Sequence, residues 1–172
     1  MEAYELTTQG GSTDFARLIA ACELFGPYCL IGGLAVNCYV EPVYTLDADL
    51  VVIAASLSDL TTHLVAQGFK TEVHKHSVNA WPPGSELRIQ FTTDERYQAF
   101  PARSVDATVL GIRVKVACRE DVTQGKLWAY EDLSQRLSKR KKDELDLIRL
   151  AEAYLELKSL YPSELRDQLE QG

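Results

Sequence analysis

The sequence predicts a mixed α/β fold: a mixed sheet flanked by helices over residues 1–117, closed by a helical region over 118–172, together one compact unit. Three observations predict it. Short apolar or alternating runs recur between helical-period segments up to Ala117. Glycine and proline clusters punctuate them. Beyond Ala117 the spacing is helical only. The chain has 172 residues, so folding removes roughly 68–70% of the unfolded surface from water and a core needs no staples.

The elements follow in order. Ser12 or Thr13 is placed to cap a first helix carrying Phe15, Leu18, Ile19, Cys22 and Phe25, which Gly26-Pro27 ends. Tyr28–Ile31 reads as a buried strand. Gly32-Gly33 turns into a short helix reaching about Val40, broken by Glu41-Pro42. Leu46–Ala54 is a strand that opens with Asp47 and Asp49 on one face. Ser56 or Ser58 caps a third helix with Leu57, Leu60, Leu64 and Val65 inward and Gly68 as its stop. Phe69–His74 is a strand, and Ser77–Ser85, with Trp81-Pro82-Pro83-Gly84, reads as a turn or loop. In Glu86–Thr92, Leu87, Ile89 and Phe91 alternate with Arg88, Gln90 and Thr92. Val105–Leu110 and Ile112–Ala117 form a hairpin about Gly111. A helix with Glu120 and Asp121 in its first turn runs to about Leu133. Another runs from about Ser138 to Leu160 on Leu147, Ile148, Ala151, Tyr154 and Leu155, and Pro162 restarts a tail helix.

Composition bounds the function. Hydrophobic residues are 46% and charged residues 25%, which excludes a disordered chain, a collagen-like fibre and a disulfide knot. With 18 basic and 25 acidic residues the net charge is −7; no global field favours non-specific nucleic-acid coating, though a local basic patch stays open. Cys22, Cys29, Cys38 and Cys118 have no zinc spacing and read as reduced thiols of a cytoplasmic protein. Residues 1–11 lack the basic flank and apolar stretch of a signal peptide. Leu24–Val40, the longest uncharged run, is short of the ~20 residues of a membrane span.

The chemistry concentrates in residues 29–52, CLIGGLAVNCYVEPVYTLDADLVV. Gly32 and Gly33 let a backbone approach phosphate oxygens, and the helix start after them supplies free N–H donors. Asp47 and Asp49 project the same way, and two such carboxylates repel unless a cation lies between them. Mg²⁺ suits the arrangement, with phosphates and water completing its shell. Taken singly, a Gly-Gly turn and a solvated Asp-x-Asp strand end are structural; their order, strand–GG–helix–strand–DxD, favours a site.

That order resembles the nucleotidyltransferase fold of the DNA polymerase β superfamily, with a glycine pair, some ten to thirteen residues, then Asp-x-Asp between hydrophobics. Here thirteen residues separate Gly33 from Asp47. Later segments look like the AbiEii-type and minimal bacterial branches: Glu120-Asp121, then Gly125-Lys126, then a basic stretch into Lys142-Asp143-Glu144-Leu145-Asp146. The series covers about residues 14–158.

The resemblance implies that Asp47 and Asp49 hold Mg²⁺ (or Mn²⁺) bound to a nucleoside triphosphate, that Gly32, Gly33 and Thr45 line its phosphates, and that Lys126, Lys142, Asp143 and Asp146 belong to the site. The implied reaction moves a nucleoside monophosphate, from ATP by default, to a hydroxyl on RNA, protein or a small molecule, in an enzyme of resistance or toxin–antitoxin type; the latter implies a cognate antitoxin. Simpler readings stand beside these roles. Lys126 can snorkel from an apolar stripe of Val122, Ala129 and Leu133. Lys142 and Asp146 can pair on the surface. Arg136, Lys139, Arg140, Lys141 and Lys142 can be a solvated helix start or a phosphate contact. His74 and His76 share a strand face without further ligands, and Trp81 and Trp128 read as packing residues.

Two positions depart from the family pattern. Where many active members carry a third carboxylate, this chain has Gln90, which cannot act as a general base. Where relatives place an Arg ahead of the Asp pair, it has Val43. Three hypotheses follow: an active metal-dependent nucleotidyltransferase; a catalytically inactive nucleotidyltransferase-fold binding protein; and an interaction protein docking through exposed Leu157, Leu160 and Tyr161.

Overall fold

The computed structural model describes residues 11–172; the stretch 1–10, included above in the signal-peptide reading, lies outside them. Seven strands form one mixed sheet in the order β3-β4-β5-β2-β1-β7-β6. They are β1 (Tyr28–Ile31), β2 (Asp47–Val52), β3 (Lys70–Val73), β4 (Ser77–Trp81), β5 (Arg88–Thr92), β6 (Val105–Val109) and β7 (Ile112–Val116). The helices are α1 (Gly11–Phe25), α2 (Gly32–Val36), α3 (Leu57–Ala66), α4 (Arg119–Glu131), α5 (Leu137–Ala153) and α6 (Ser163–Gln171). This is the mixed α/β fold with a helical C-terminal region that the sequence predicts.

The centre of the sheet positions the site. β1 and β2 are antiparallel, with Ile31 opposite Asp49. β2 and β5 are parallel, pairing Asp47 with Arg88 and Asp49 with Gln90. Alternation along β2 and β5 buries Ala48, Leu50, Ile89 and Phe91, so the polar residues between them share the opposite face. α2 packs on β1, β2 and α4, and α4 packs on α5. α1 and α3 pack on each other.

Several local expectations are corrected. α1 is already helical at Gly11, so Ser12 and Thr13 sit in its first turn. Ser56 stands at the N-cap of α3 but makes no side-chain capping bond. Val65 is exposed, because the inward stripe is Leu57, Leu60 and Leu64 alone. Ser77–Trp81 is a strand, with Val78 and Ala80 buried, and only residues 82–87 form the connection. His74 and His76 flank the β3–β4 turn rather than share a strand face. α4 stops at Glu131, leaving Leu133 exposed beyond it. α5 ends at Ala153: Tyr154 leaves helical geometry, its hydroxyl donates to the Tyr39 carbonyl at 2.8 Å, and a 3₁₀ segment follows. Leu155, expected inward, is therefore exposed. Leu157 and Tyr161 are buried, which removes them from any docking face.

The hairpin forms as expected, with Leu110 and Gly111 both at positive φ (50° and 75°) in a two-residue turn. Its inner residues Val114 and Val116 are buried, and Arg113 and Lys115 point out. All four cysteines are free thiols. Among the described residues no helix is long and apolar enough to cross a membrane.

Candidate functional site

Asp47 and Asp49 open β2 where α2, α4 and α5 converge on a cavity of about 820 Å³. Gly32, Gly33, Thr45, Lys126, Lys142 and Asp143 line the same cavity. Residues scattered from Gly32 to Asp143 in sequence thus come together in space.

Gly32 is fixed by two independent constraints. Its φ is +68°, which side chains other than glycine rarely adopt. A Cβ there would also lie 2.3 Å from Asp49 Oδ2. The backbone at the start of α2 is therefore pressed against the carboxylate. Gly33 faces Thr45, whose Oγ1 would sit 3.7 Å from an added Cβ, an ordinary contact. The buried Thr45 hydroxyl in turn accepts from the Asp47 N–H at 3.2 Å. Asn37 clamps the preceding loop, donating to the Val43 carbonyl at 2.7 Å and accepting from its N–H at 3.1 Å. α2 has only five residues, shorter than the sequence implies.

The pair is electrostatically unbalanced. Burial raises the Asp49 carboxyl above its ordinary range; Lys126, Lys139 and Lys142 oppose the rise, and the Asp47 charge adds to it. Arg88 meets Asp47 from β5, with Nε 2.7 Å from Oδ1. Gln90 stands beside Asp49 in the register and lines the cavity. The donor set fits Mg²⁺ or Mn²⁺: two carboxylates on one face, one of them held in a backbone cradle, with room for phosphates and water to complete the shell. Among the described residues no cluster of three or more His, Cys, Asp or Glu side chains is placed to hold an ion by itself.

Lys126 has a defined place. It is buried, with Nζ 2.8 Å from Asp143 Oδ1 and 2.8 Å from Asp146 Oδ2. Desolvation works against its charge, but Asp146 and Asp143 outweigh it and hold its pKa above the ordinary lysine value. Asp146 does not line the cavity; its other oxygen accepts from Arg149 at 2.9 Å, and Arg149 also donates to the Glu41 carbonyl. The buried Asp146 is thus engaged by Lys126 and Arg149, so the surface pair with Lys142 is not its environment. Gly125 permits a close approach, but of an aromatic ring: an added Cβ would lie 3.2 Å from Tyr97 Cε1. Tyr97 packs edge-on against Phe100 and Trp128 at 5.1 and 5.0 Å, with Arg96 over Trp128.

The basic cluster divides. Arg136, Lys139 and Lys142 line the cavity. Lys141 pairs with Glu144, and Arg140 bonds the Tyr130 carbonyl. Sequence reasoning missed Arg88 and the cavity wall at Arg96 and Tyr97. The alternation that put Arg88 and Gln90 on one face was a usable signal, but only the parallel β2–β5 pairing brings that face to the Asp pair.

No protein-family model matches the chain, and no curated protein matches it in sequence. Its structure is similar to solved nucleotidyltransferases. ANT(2")-Ia in complex with adenylyl-2"-tobramycin superposes with a TM-score of 0.65 at 14% identity over 93% of this chain and 97% of that one. The lincosamide antibiotic adenylyltransferase LnuA, lincomycin-bound, gives 0.57 at 14% identity over 86% and 98%. An antigenic nucleotidyltransferase-like protein from Paracoccidioides brasiliensis gives 0.54 at 20% identity over 94% and 93%. At such identities the likeness is one of fold.

Proposed function

On the nucleotidyltransferase fold it shares with these structures, we propose that the chain transfers a nucleoside monophosphate from a nucleoside triphosphate to a hydroxyl acceptor. The observation that carries the proposal is Gly32, a positive-φ backbone pressed against Asp49 beside Asp47 at the edge of a large cavity. The acceptor oxygen attacks the α-phosphorus, the bond to the bridging oxygen of the β-phosphate breaks, pyrophosphate leaves and the hydroxyl proton passes to solvent. Asp47 and Asp49 would hold Mg²⁺ or Mn²⁺, which when bound supplies neutralising charge on the phosphates. Gly32 and Gly33 present backbone to the phosphates with no side chain in the way, and Thr45 fixes the strand start through the Asp47 N–H. Lys142, Lys139 and Arg136 offer cations along the cavity for the triphosphate. Lys126, ion-paired with Asp143 and Asp146, joins α4 to α5, and its charge opposes the rise of the Asp49 carboxyl. ATP is the default donor, and the adenylyltransferases among the similar structures support a small-molecule acceptor of resistance type.

The direct test incubates the protein with α-phosphate-labelled triphosphates, Mg²⁺ and a panel of hydroxyl acceptors. Label should move to an acceptor, and Asp47→Asn/Asp49→Asn should abolish the transfer. A second reading, nucleotide binding without transfer, is favoured by Gln90, an amide where a third carboxylate would serve as base. It predicts Mg²⁺-dependent nucleotide binding with no labelled product.

A further inference from the structure

β6 is the last strand of the sheet, and among the described residues no strand pairs with its outer side. Two contacts fix where its backbone groups point. The hairpin turns through Leu110 and Gly111, both at positive φ, between Val109 and Ile112. Such a turn closes on a bond from the Ile112 N–H to the Val109 carbonyl, so Val109, Ala107 and Val105 bond to β7. Independently, the N–H of Lys115, opposite Asp106, donates to the Tyr28 hydroxyl of β1 at 3.2 Å, away from β6. Both observations aim the N–H and C=O groups of Asp106 and Thr108 out of the sheet edge.

The strand carries none of the usual guards of a sheet edge. Its pairing with β7 runs from Val105–Val116 to Val109–Ile112 without a bulge, and it contains no Pro and no Lys. Its one charge, Asp106, is held by Lys115 at 2.8 Å and faces Arg113 at 3.8 Å. The opposite edge differs, since β3 opens on Lys70 and carries Glu72. Val105 is exposed on the face of the hairpin that buries Val109, Val114 and Val116. An apolar side chain and a row of outward backbone groups thus lie together at one edge.

We propose that a second copy of this chain pairs antiparallel with β6 about a two-fold axis at Ala107. Outward groups must meet outward groups, which leaves few registers. An axis at Asp106 sets two carboxylates directly opposite each other, a destabilising pair. An axis at Thr108 sets Asp106 against Leu110, which is already in the turn at φ 50°. The axis at Ala107 sets Asp106 against the second copy's Thr108, each such pair exchanging both N–H···O bonds. It also sets Val105 against the second copy's Val109, covering the exposed valine, and brings the two small Ala107 side chains together at the centre. Arg113 lies opposite Thr108, so its row continues to the second copy's Asp106. Charge, shape and hydrogen bonding therefore agree at this register. A strand of five residues makes a short interface, so the dimer is in concentration-dependent equilibrium with monomer. β1 and β7 separate this edge from β2, and no β6 residue lines the large cavity, so pairing leaves the candidate site open.

Sedimentation velocity of the whole chain, from micromolar to near-millimolar concentration, should show monomer giving way to dimer. Thr108→Pro removes an outward N–H and leaves the β6–β7 ladder its bonds, so it should raise the dimer Kd at least about tenfold. Asp106→Lys, which installs an edge lysine beside Lys115 and Arg113, should do the same. The register has its own readout. Ala107→Cys places two thiols across a non-hydrogen-bonded pair, with Cα atoms about 4.5 Å apart, within disulfide reach. Oxidised glutathione should convert that variant to a covalent dimer. Val105→Cys, away from the axis, should cross-link no more than wild type with its own free thiols. A chain that stays monomeric throughout, with no Ala107→Cys cross-link beyond wild type, overturns the proposal. A dimer that Thr108→Pro and Asp106→Lys leave unchanged, or one that cross-links as readily through Val105→Cys, also overturns it. If Thr108→Pro fails to fold, Asp106→Lys, a change at an exposed side chain, decides in its place.

Discussion

At the scale of single residues, two neighbouring glycines make unequal demands. Gly32→Ala must place a methyl 2.3 Å from Asp49 Oδ2 on a backbone at φ +68°. Relief requires either the carboxylate or α2 to move, and the left-handed backbone alone costs roughly 1–2 kcal/mol. Gly33→Ala meets Thr45 at 3.7 Å and needs no rearrangement. Thermal melts should show Gly32→Ala destabilised and unresponsive to Mg²⁺-triphosphate, with Gly33→Ala near wild type in its unliganded Tm. Lys126 gives a second residue-scale prediction. Lys126→Met would leave Asp143 and Asp146 buried against an apolar side chain. Removing one partner of a buried ionic cluster costs about 3–5 kcal/mol, so urea unfolding should show a loss of that size. Lys126→Met/Asp143→Asn should recover part of it, because one of the stranded charges is gone.

At the scale of elements, pairing between strands decides what touches the aspartates. Their common face was legible, because an i, i+2 spacing on a strand needs no tertiary knowledge. Arg88 was not legible as their neighbour, because β2 and β5 are far apart in sequence and parallel, pairing Asp47 with Arg88. β4 was lost to the proline-rich stretch that follows it, although Val78 and Ala80 alternate with Asn79 and Trp81 as a half-buried strand requires. The end of α5 was hidden for a related reason: helical spacing continues past Ala153, but the contact of Tyr154 with Tyr39 lies over a hundred residues away in sequence. The Arg88–Asp47 pair carries its own prediction. Both side chains are more than a third exposed, so the pair contributes about 0–1 kcal/mol to folding. Arg88→Gln should barely change the Tm. It should tighten Mn²⁺ binding several-fold in calorimetry without nucleotide, since the guanidinium no longer competes for Asp47.

At the scale of the whole molecule, buried neutral acids set the alkaline limit of stability. Burial pushes the Tyr28 and Tyr97 phenols up to about 12, and those of Tyr39 and Tyr161 higher still. It pushes the Cys29 thiol up to about 12 and Cys22 beyond that. Unfolded thiols lose protons near ~8.5 and phenols near ~10. The folded state therefore holds more protons than the unfolded state above those values, and stability falls as pH rises. The Tm should hold level up to about pH 8.5 and then decline, most steeply between about pH 10 and 12; a Tm that stays flat to pH 11 contradicts the burial described. At the same scale, named contacts tie the helical region after Ala117 to the sheet: Tyr39 donates to the Ala117 carbonyl at 2.7 Å, Tyr154 reaches the Tyr39 carbonyl, and Lys126 and Asp143 line the cavity that β2 opens.

The most direct test of the account is the thermal stability of wild type and Asp47→Asn/Asp49→Asn with each triphosphate, with and without Mg²⁺. Ligand at a hundredfold over its Kd stabilises by about 2.7 kcal/mol, roughly 5–10 °C in Tm at this size. Wild type should show a shift of that order only when Mg²⁺ and triphosphate are both present, and the double variant none. An equal shift in both proteins, or no shift in well-folded wild type, would contradict the assignment of Asp47 and Asp49 to a metal–nucleotide site.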